Sequence, residues 1–413
     1  MNIWIFQTGE PLHCDEDGSR PMRAMNLANF FVSRGHKVVI WSSDFYHQKS
    51  KHRFNKDKTI RISNLLTIEL INSPGYKNNI SISRLYDHFI LGIRFLKKLK
   101  NRKDIPDIGF IGFPPMEVAY FVSRWFKRKK IKYFVDVKDP WPDHLVDAFP
   151  KKIKSIIKII FLPYYIITRL TFRDSEGISA ITESFLDWSL ELSGRKINRN
   201  DFVFPLVSTP YEENYDQKLK SLEWAKSIIK NDASINIFFV GTIGKSFNFE
   251  PVLEAAEFFD TKVKKINFII CGDGELKKSA ENKSSSLRNV FFTGWINRSQ
   301  INALASVCDL SIAPYINNDT FKNTISNKMI DYLSLGLPLL TSIDGSGACY
   351  LRDNNSAIIY DENNYKTLVN ILEELLLDQD LINKMRTSAL ETFDTNYSYE
   401  IVYENAYKKI TKS

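Results

Sequence analysis

The sequence predicts an α/β protein made of two Rossmann-like, doubly wound domains. Short apolar, β-rich runs alternate with helical stretches almost from end to end, as in parallel sheets covered by helices. One polar stretch, residues 208–216, interrupts the alternation midway. The 413 residues, 44% hydrophobic and 25% charged, suffice for two domains with separate cores and exclude a disordered, collagen-like or disulfide-stapled chain.

The first unit reads as strand 2–6, a loop through Gly9 and Gly18, and a helix over about 20–34 with Ala24, Leu27, Ala28 and Phe31 on one face. Gly35 stops that helix and strand 37–41 follows. Further strands are expected at 66–70, 108–112, 133–137 and 177–181. A second series runs through 235–241, 266–271, 290–293, 310–313, 337–341 and 357–360. The expected domains are 1–210 and 211–395, with a C-terminal helix of about 396–413 packing back on the first. Tandem nucleotide folds are expected to face each other across a cleft at the C-terminal ends of their sheets, where α/β proteins bind ligands. No G-x-G-x-x-G follows strand 1, which argues against a dehydrogenase.

Charge divides unevenly: residues 1–215 carry 34 Lys and Arg against 23 Asp and Glu, residues 216–413 carry 22 against 25. The basic half therefore has a partner of its own to explain. Cys14, Cys271, Cys308 and Cys349 form no CxxC pair, which suits buried thiols in a reducing compartment. Position 1 opens directly into a strand without an export signal, so a cytoplasmic location is expected.

Four segments of the second half set its chemistry: 239–245 (FVGTIGK), 271–274 (CGDG), 290–295 (VFFTGW) and 331–338 (DYLSLGLP). In that order and spacing they resemble the donor-binding domain of family-four retaining glycosyltransferases of the GT-B fold. The first half is similar to the fucosamine-transferase branch of bacterial O-antigen and capsule enzymes, through Gly18 to Pro21, Asn79 to Arg84 and Asp139 to Pro142. The resemblance implies a donor of the nucleoside-diphosphate-sugar type, UDP preferred. It also implies a lipid-linked saccharide acceptor of the undecaprenyl-diphosphate type, metal independence and no cofactor. Retention in such enzymes is explained by front-face attack, in which the departing phosphate takes the acceptor proton and no protein nucleophile is needed.

A donor site must hold base and ribose, neutralise a diphosphate and orient a sugar. The loop Gly241, Thr242, Ile243, Gly244, Lys245 lies between a strand and a helix, where small residues, backbone amides and one cation suit a diphosphate; an ordinary βα turn reads the same way. By resemblance Thr242 stands where an Arg is common, leaving Lys245 and Lys328 to carry the positive charge. The family's paired glutamates correspond to Asn323 and Asp331. Asp331 is then the ribose acceptor, unless it is merely a helix-start acid, and Ser326, Asn327 and Lys328 are expected at the N-terminus of the same helix, near phosphate or sugar. Trp295, beside Ile296, either stacks on the base or packs. Gly345 and Gly347 either approach the donor closely or form a surface turn. In the first half Gly18, Ser19 and Arg20 resemble an acceptor-side loop facing the diphosphate. Asp139 either orients the acceptor hydroxyl or caps a turn. The catalytic candidates are Asp139, Lys245 and Asp331.

Residues 151–162 place Ile153, Ile156, Ile157, Ile160 and Phe161 on one helical face and Lys151, Lys154 and Lys158 on another. Ten uncharged residues, 159–168, with Pro163 among them, are too few to span a bilayer. The helix either docks on the anionic inner face of the bacterial inner membrane or is a core helix with solvated lysines; nucleic acid is not expected. Two other functions share the fold: a nucleotide-sugar 2-epimerase, and a non-catalytic membrane-associated nucleotide-sugar-binding protein.

Overall fold

The computed structural model describes residues 1–412 apart from 16–20, 79–80, 148, 210, 212, 230–233, 263–264 and 318. The chain divides into unit 1, Met1–Pro205 with Tyr403–Ser413, and unit 2, Leu206–Val402. The crossings thus fall at 205/206 and 402/403 rather than at 210/211 and 395/396.

Unit 1 contains strands β1 (Asn2–Phe6), β2 (Lys37–Ser43), β3 (Phe45–Tyr46), β4 (Lys51–His52), β5 (Lys58–Arg61), β6 (Leu66–Ile71), β7 (Ile108–Phe113), β8 (Lys132–Val137), β9 (Gly177–Ala180) and β10 (Phe202–Val203). Eight of them form one sheet in the order β10-β9-β8-β7-β1-β2-β6-β5, and β3 and β4 form a separate hairpin. All neighbours in the large sheet are parallel except β5, which runs antiparallel along β6. The central strands are buried on both faces, which explains their unbroken apolar runs. Stacked rings fill one layer: Trp4 lies 5.8 Å from Trp125 at 9°, and Phe6 lies 5.6 Å from Trp41 at 5°. The C-terminal segment joins this core through Tyr403, edge-on to Phe204 at 5.2 Å, and through Glu404, paired with Arg34 at 2.6 Å.

The basic segment departs from a single amphipathic helix. A 3₁₀ turn, Lys151–Ile153, leads into the helix Lys154–Ile160, and a second helix, Leu162–Arg173, follows at 63° with Pro163 in its first turn. Proline is tolerated there because its missing N–H has no helical partner anyway. No residue of Lys154–Ile160 is buried, so it is not a core helix, and Ile159 is 71% exposed. Among the described residues no single helix is long and apolar enough to cross a membrane; the bent pair passes that test only when taken together.

Unit 2 contains β11 (Ile235–Val240), β12 (Ile266–Cys271), β13 (Val290–Gly294), β14 (Leu310–Ala313), β15 (Leu339–Thr341) and β16 (Ala357–Ile359). They form one parallel sheet, β13-β12-β11-β14-β15-β16. Its strand order reverses beside β11, the switch point where ligands bind in open α/β sheets.

Candidate active site

In unit 2 the site is built around the end of β11. Gly241 has φ +146°, and a Cβ there would overlap the Lys328 ammonium, so only glycine fits. The helix Asn327–Ser334 delivers that ammonium. Ser326 caps the helix by accepting from the Met329 N–H (3.3 Å), and the Tyr315 hydroxyl donates to Ser326 Oγ (2.9 Å). The fully buried Tyr332 ties the helix to β11, its hydroxyl accepting from the Val240 N–H at 2.9 Å. Lys328 consequently lies among apolar groups. Its Nζ donates to the Val240 carbonyl and sits 4.5 Å from the Phe239 ring centroid and 5.3 Å from that of Phe247. Burial pushes its pKa down to about 8, against the opposing pull of Asp331 one turn along. Asp331 is itself mostly buried, with Arg298 Nη1 at 3.7 Å.

The other expected donor residues fall into two groups. Gly345 and Gly347 lie so close to the backbone of Lys322 and Thr324 that a side chain on either would collide with it. The 345–347 turn is thereby packed against the segment carrying Asn323, which is exposed, as is Asn327. Lys245 is elsewhere: its side chain is 81% exposed and faces Glu275 at 3.3 Å. Thr242 is exposed, and Gly244 is half-buried with room for a side chain against the Thr242 methyl. The helix after this loop begins only at Glu250, whose carboxylate meets Lys283 at 2.6 Å, so that helix start already carries an anion of its own. Trp295 does not pack, being 78% exposed beside buried Ile296.

In unit 1, Gly18, Ser19 and Arg20 lie outside the described residues. The chain on either side is held by ion pairs: Asp15 to Arg53 at 2.6 Å, and Arg23 to the completely buried Asp136 at 3.2 Å. Lys138 pairs with Glu10, whose other oxygen accepts from the Ala24 N–H at 2.9 Å. Asp139 follows, half exposed, with His144 Nδ1 at 3.9 Å. Desolvation raises its pKa, while His144, Lys138 and Arg84 act the other way.

Unit 1 also holds a small cavity of about 60 Å³ whose wall includes Thr8, Ser43, His47, Arg84 and His88 together with Phe45 and Leu91. Under it Glu117 accepts from the Tyr164 hydroxyl at 2.9 Å and lies 3.7 Å from His88. Burial pushes Glu117 up to about 7 and His88 down to about 3. The expectations drawn from the residues did not name His88, Glu117 or Arg298; each is a single polar residue on an otherwise unremarkable helix, with no local signal. Among the described residues no group of three or more His, Cys, Asp or Glu is arranged to hold a metal ion.

Two Rossmann-like units in one chain define the GT-B fold, which solved structures share along the whole length. Sucrose-phosphate synthase from Thermosynechococcus elongatus superposes with a TM-score of 0.67 at 12% identity, covering 98% of this chain and 97% of that one. WaaG, a glycosyltransferase involved in lipopolysaccharide biosynthesis, superposes at 0.64 with 16% identity and full coverage of both. Anabaena HepE, solved in complex with UDP, gives 0.61 at 12% identity, again covering both chains fully. Residues 221–392, within unit 2, match the family model of the group 1 glycosyl transferases, which supports a glycosyltransferase. A curated relative, the 2-deoxystreptamine N-acetyl-D-glucosaminyltransferase of Niallia circulans, is 20% identical over 172 residues. That match spans 41% of this chain and 43% of the relative, less than half the length of either.

Proposed function

We propose that the chain is a retaining, metal-independent glycosyltransferase of the fucosamine-transferase type. It moves a sugar from a UDP-sugar to a lipid-linked oligosaccharide in O-antigen or capsule synthesis, working at the inner face of the bacterial inner membrane. The observation that carries the reading is Lys328: a buried cation at the end of β11, against a glycine that leaves room for it, in the part of the chain that matches the group 1 family. A diphosphate supplies the negative charge that the protein gives this ammonium only in part, and HepE, of the same fold, is solved with UDP and with UDP-glucose.

In this reading Lys328 and the amides at the start of its helix stabilise the departing diphosphate. Asp331 takes the ribose hydroxyls, with Arg298 Nη1 3.7 Å from its carboxylate. The exposed Trp295 offers its face to the base, and Lys245 provides longer-range attraction. Asp139 orients the acceptor hydroxyl. The front-face mechanism requires only that both substrates be aligned and the leaving group neutralised. The exposed isoleucines and lysines of 151–173 hold the enzyme on an anionic leaflet.

A thermal-shift panel of UDP, GDP, CMP and NAD tests the donor, since a ligand that selects the folded state raises its Tm. UDP is expected to give the largest shift without added metal, and Asp331→Ala to abolish it. A shift that survives Asp331→Ala removes that residue from the site. Incubation of the UDP-sugar without acceptor should leave the donor sugar unchanged; an epimerised product would replace the transferase reading.

A further inference from the structure

The small cavity of unit 1 lies where that sheet, too, reverses its strand order. From β1 the chain builds outward through β2 and β6, then returns to place β7 on the other side of β1. The cavity wall takes Thr8 and Gly9 from the loop after β1, Ser43 from the end of β2, and Pro114 and Pro115 from the loop after β7. Carboxyl ends of strands at such a switch point are where open α/β sheets take ligands. We infer that this cavity receives the hydroxymethyl group of a hexose in the acceptor saccharide, its hydroxyl held by the imidazole of His88 with that of His47 on the same wall. The inference rests on the saccharide acceptor proposed above and adds the group by which that acceptor is recognised.

Size supports it first. A cavity of about 150 Å³ holds a benzene, so one of about 60 Å³ holds roughly two or three non-hydrogen atoms. A sugar ring does not fit; one carbon with one oxygen does. The wall offers both kinds of surface that such a group needs. Phe45, Leu91 and the two prolines suit a methylene, and His47, His88 and Thr8 suit an oxygen. Water alone would satisfy the polar part and leave the apolar part unmatched.

The second support is the hydrogen bonding of the wall. Several of its polar groups are engaged: Ser43 with Ser73 at 3.1 Å, Asp87 with the Gly75 N–H at 2.6 Å, and Arg84 with the Tyr76 hydroxyl. His47 uses Nδ1 on the same Tyr76 hydroxyl, at 2.8 Å. His88 is 4% exposed, and its Nδ1 faces Glu117 Oε2 at 3.7 Å with no hydrogen bond among the described residues. With Nδ1 of each ring turned to protein, Nε2 is the nitrogen left for a ligand. Burial pushes His88 down to about 3 and His47 below its ordinary value, and the Arg84 charge acts on both in the same direction. A neutral imidazole carries one N–H and one bare nitrogen, and a hydroxyl, which both donates and accepts, pairs with either. A carboxylate has no proton to give a bare nitrogen, and a methyl group would leave the buried ring unpaired.

The test titrates the full chain with methyl glucoside and methyl galactoside, their 6-deoxy counterparts and the corresponding methyl uronosides, read from the histidine ring signals in NMR spectra. The better of the two hydroxymethyl sugars is expected to shift the His88 and His47 signals with a Kd on the order of 1–10 mM. Its 6-deoxy and uronate forms should bind at least about fivefold more weakly. His88→Phe, which keeps a ring and removes its nitrogens, should weaken binding about fivefold or more, and His47→Phe about threefold. His36→Gln, at Tyr407 and the amino terminus, should change it less than about twofold. An unchanged His36 signal in the two phenylalanine variants shows unit 1 to be intact. UDP binding is measured in parallel, and its retention keeps a failure here separate from a failure of the donor reading. The inference is overturned by a 6-deoxy sugar that binds as well as its parent, or by His88→Phe leaving the affinity unchanged. It is equally overturned by uronates binding as tightly or more, which would make this an anion site, or by the absence of a saturable shift up to about 100 mM sugar, as for a cavity that holds only water.

Discussion

Arg23 in unit 1 and Lys328 in unit 2 are both cations withdrawn from solvent, and the two are compensated differently. Arg23 in unit 1 meets the fully buried carboxylate of Asp136, donates to the Phe204 and Pro205 carbonyls, and lies on the Phe204 ring at 3.9 Å. Lys328 in unit 2 has one carbonyl and two ring faces, with its nearest acid one turn away. A cation paired with a buried carboxylate is a tie between elements. A cation lodged in apolar surroundings without a contacting anion is destabilised in its charged form, and an anionic ligand relieves it.

The largest effect expected from this contrast is at Arg23. Arg23→Met strands the Asp136 carboxylate, and denaturant unfolding should show a loss of about 3–5 kcal/mol, as for other half-deleted buried pairs. Lys328→Met removes a charge that burial disfavours and that stands against no contacting carboxylate, so stability at pH 7 should hold or rise while UDP affinity falls about 10- to 100-fold, the range for a charge-assisted hydrogen bond. A variant that unfolds like Arg23→Met would show Lys328 to be a structural tie after all.

pH separates the two next. With Lys328 titrating at about 8, UDP affinity should fall about tenfold from pH 7 to pH 9 as the ammonium is lost. Stability should move the opposite way. In the window from about 8 to the ordinary lysine value the unfolded chain holds the proton more tightly than the folded one, so unfolding free energy rises with pH there. Lys328→Met should flatten both profiles. The smallest effect is expected at Lys245, whose exposed pair with Glu275 is of a kind that contributes about 0–1 kcal/mol. Lys245→Ala should weaken UDP binding less than threefold, and the difference should vanish at 0.5 M salt.

These contrasts also show what could be read without coordinates. The parallel strands were legible because strands buried on both faces are continuous apolar runs. β5 was not, because Lys58, Thr59 and Arg61 at an exposed antiparallel edge look like loop, and β10 is only two residues long. A helix beginning at 326–328 was expected, and Asn327–Ser334 is that helix, with Ser326 as a cap that had not been foreseen. The meeting of Lys328 with Gly241 was not legible, since it is set by how Tyr332 and Tyr315 pin that helix to the sheet. For the same reason local sequence ranked Lys245 with Lys328, although tertiary packing turns one to solvent and the other inward. Periodicity did find the two faces of 151–162, but it does not report which face meets protein; the isoleucines that look like core are outside.

The antiparallel strand β5 has a consequence of its own. Lys58, Thr59 and Arg61 are exposed along the margin of the unit 1 sheet. Another chain adding a rung to that ladder would have to bring its own backbone against two fixed positive charges, which natural sheets use to discourage templated growth. This short basic hem thus disfavours the joining of two such sheets edge to edge.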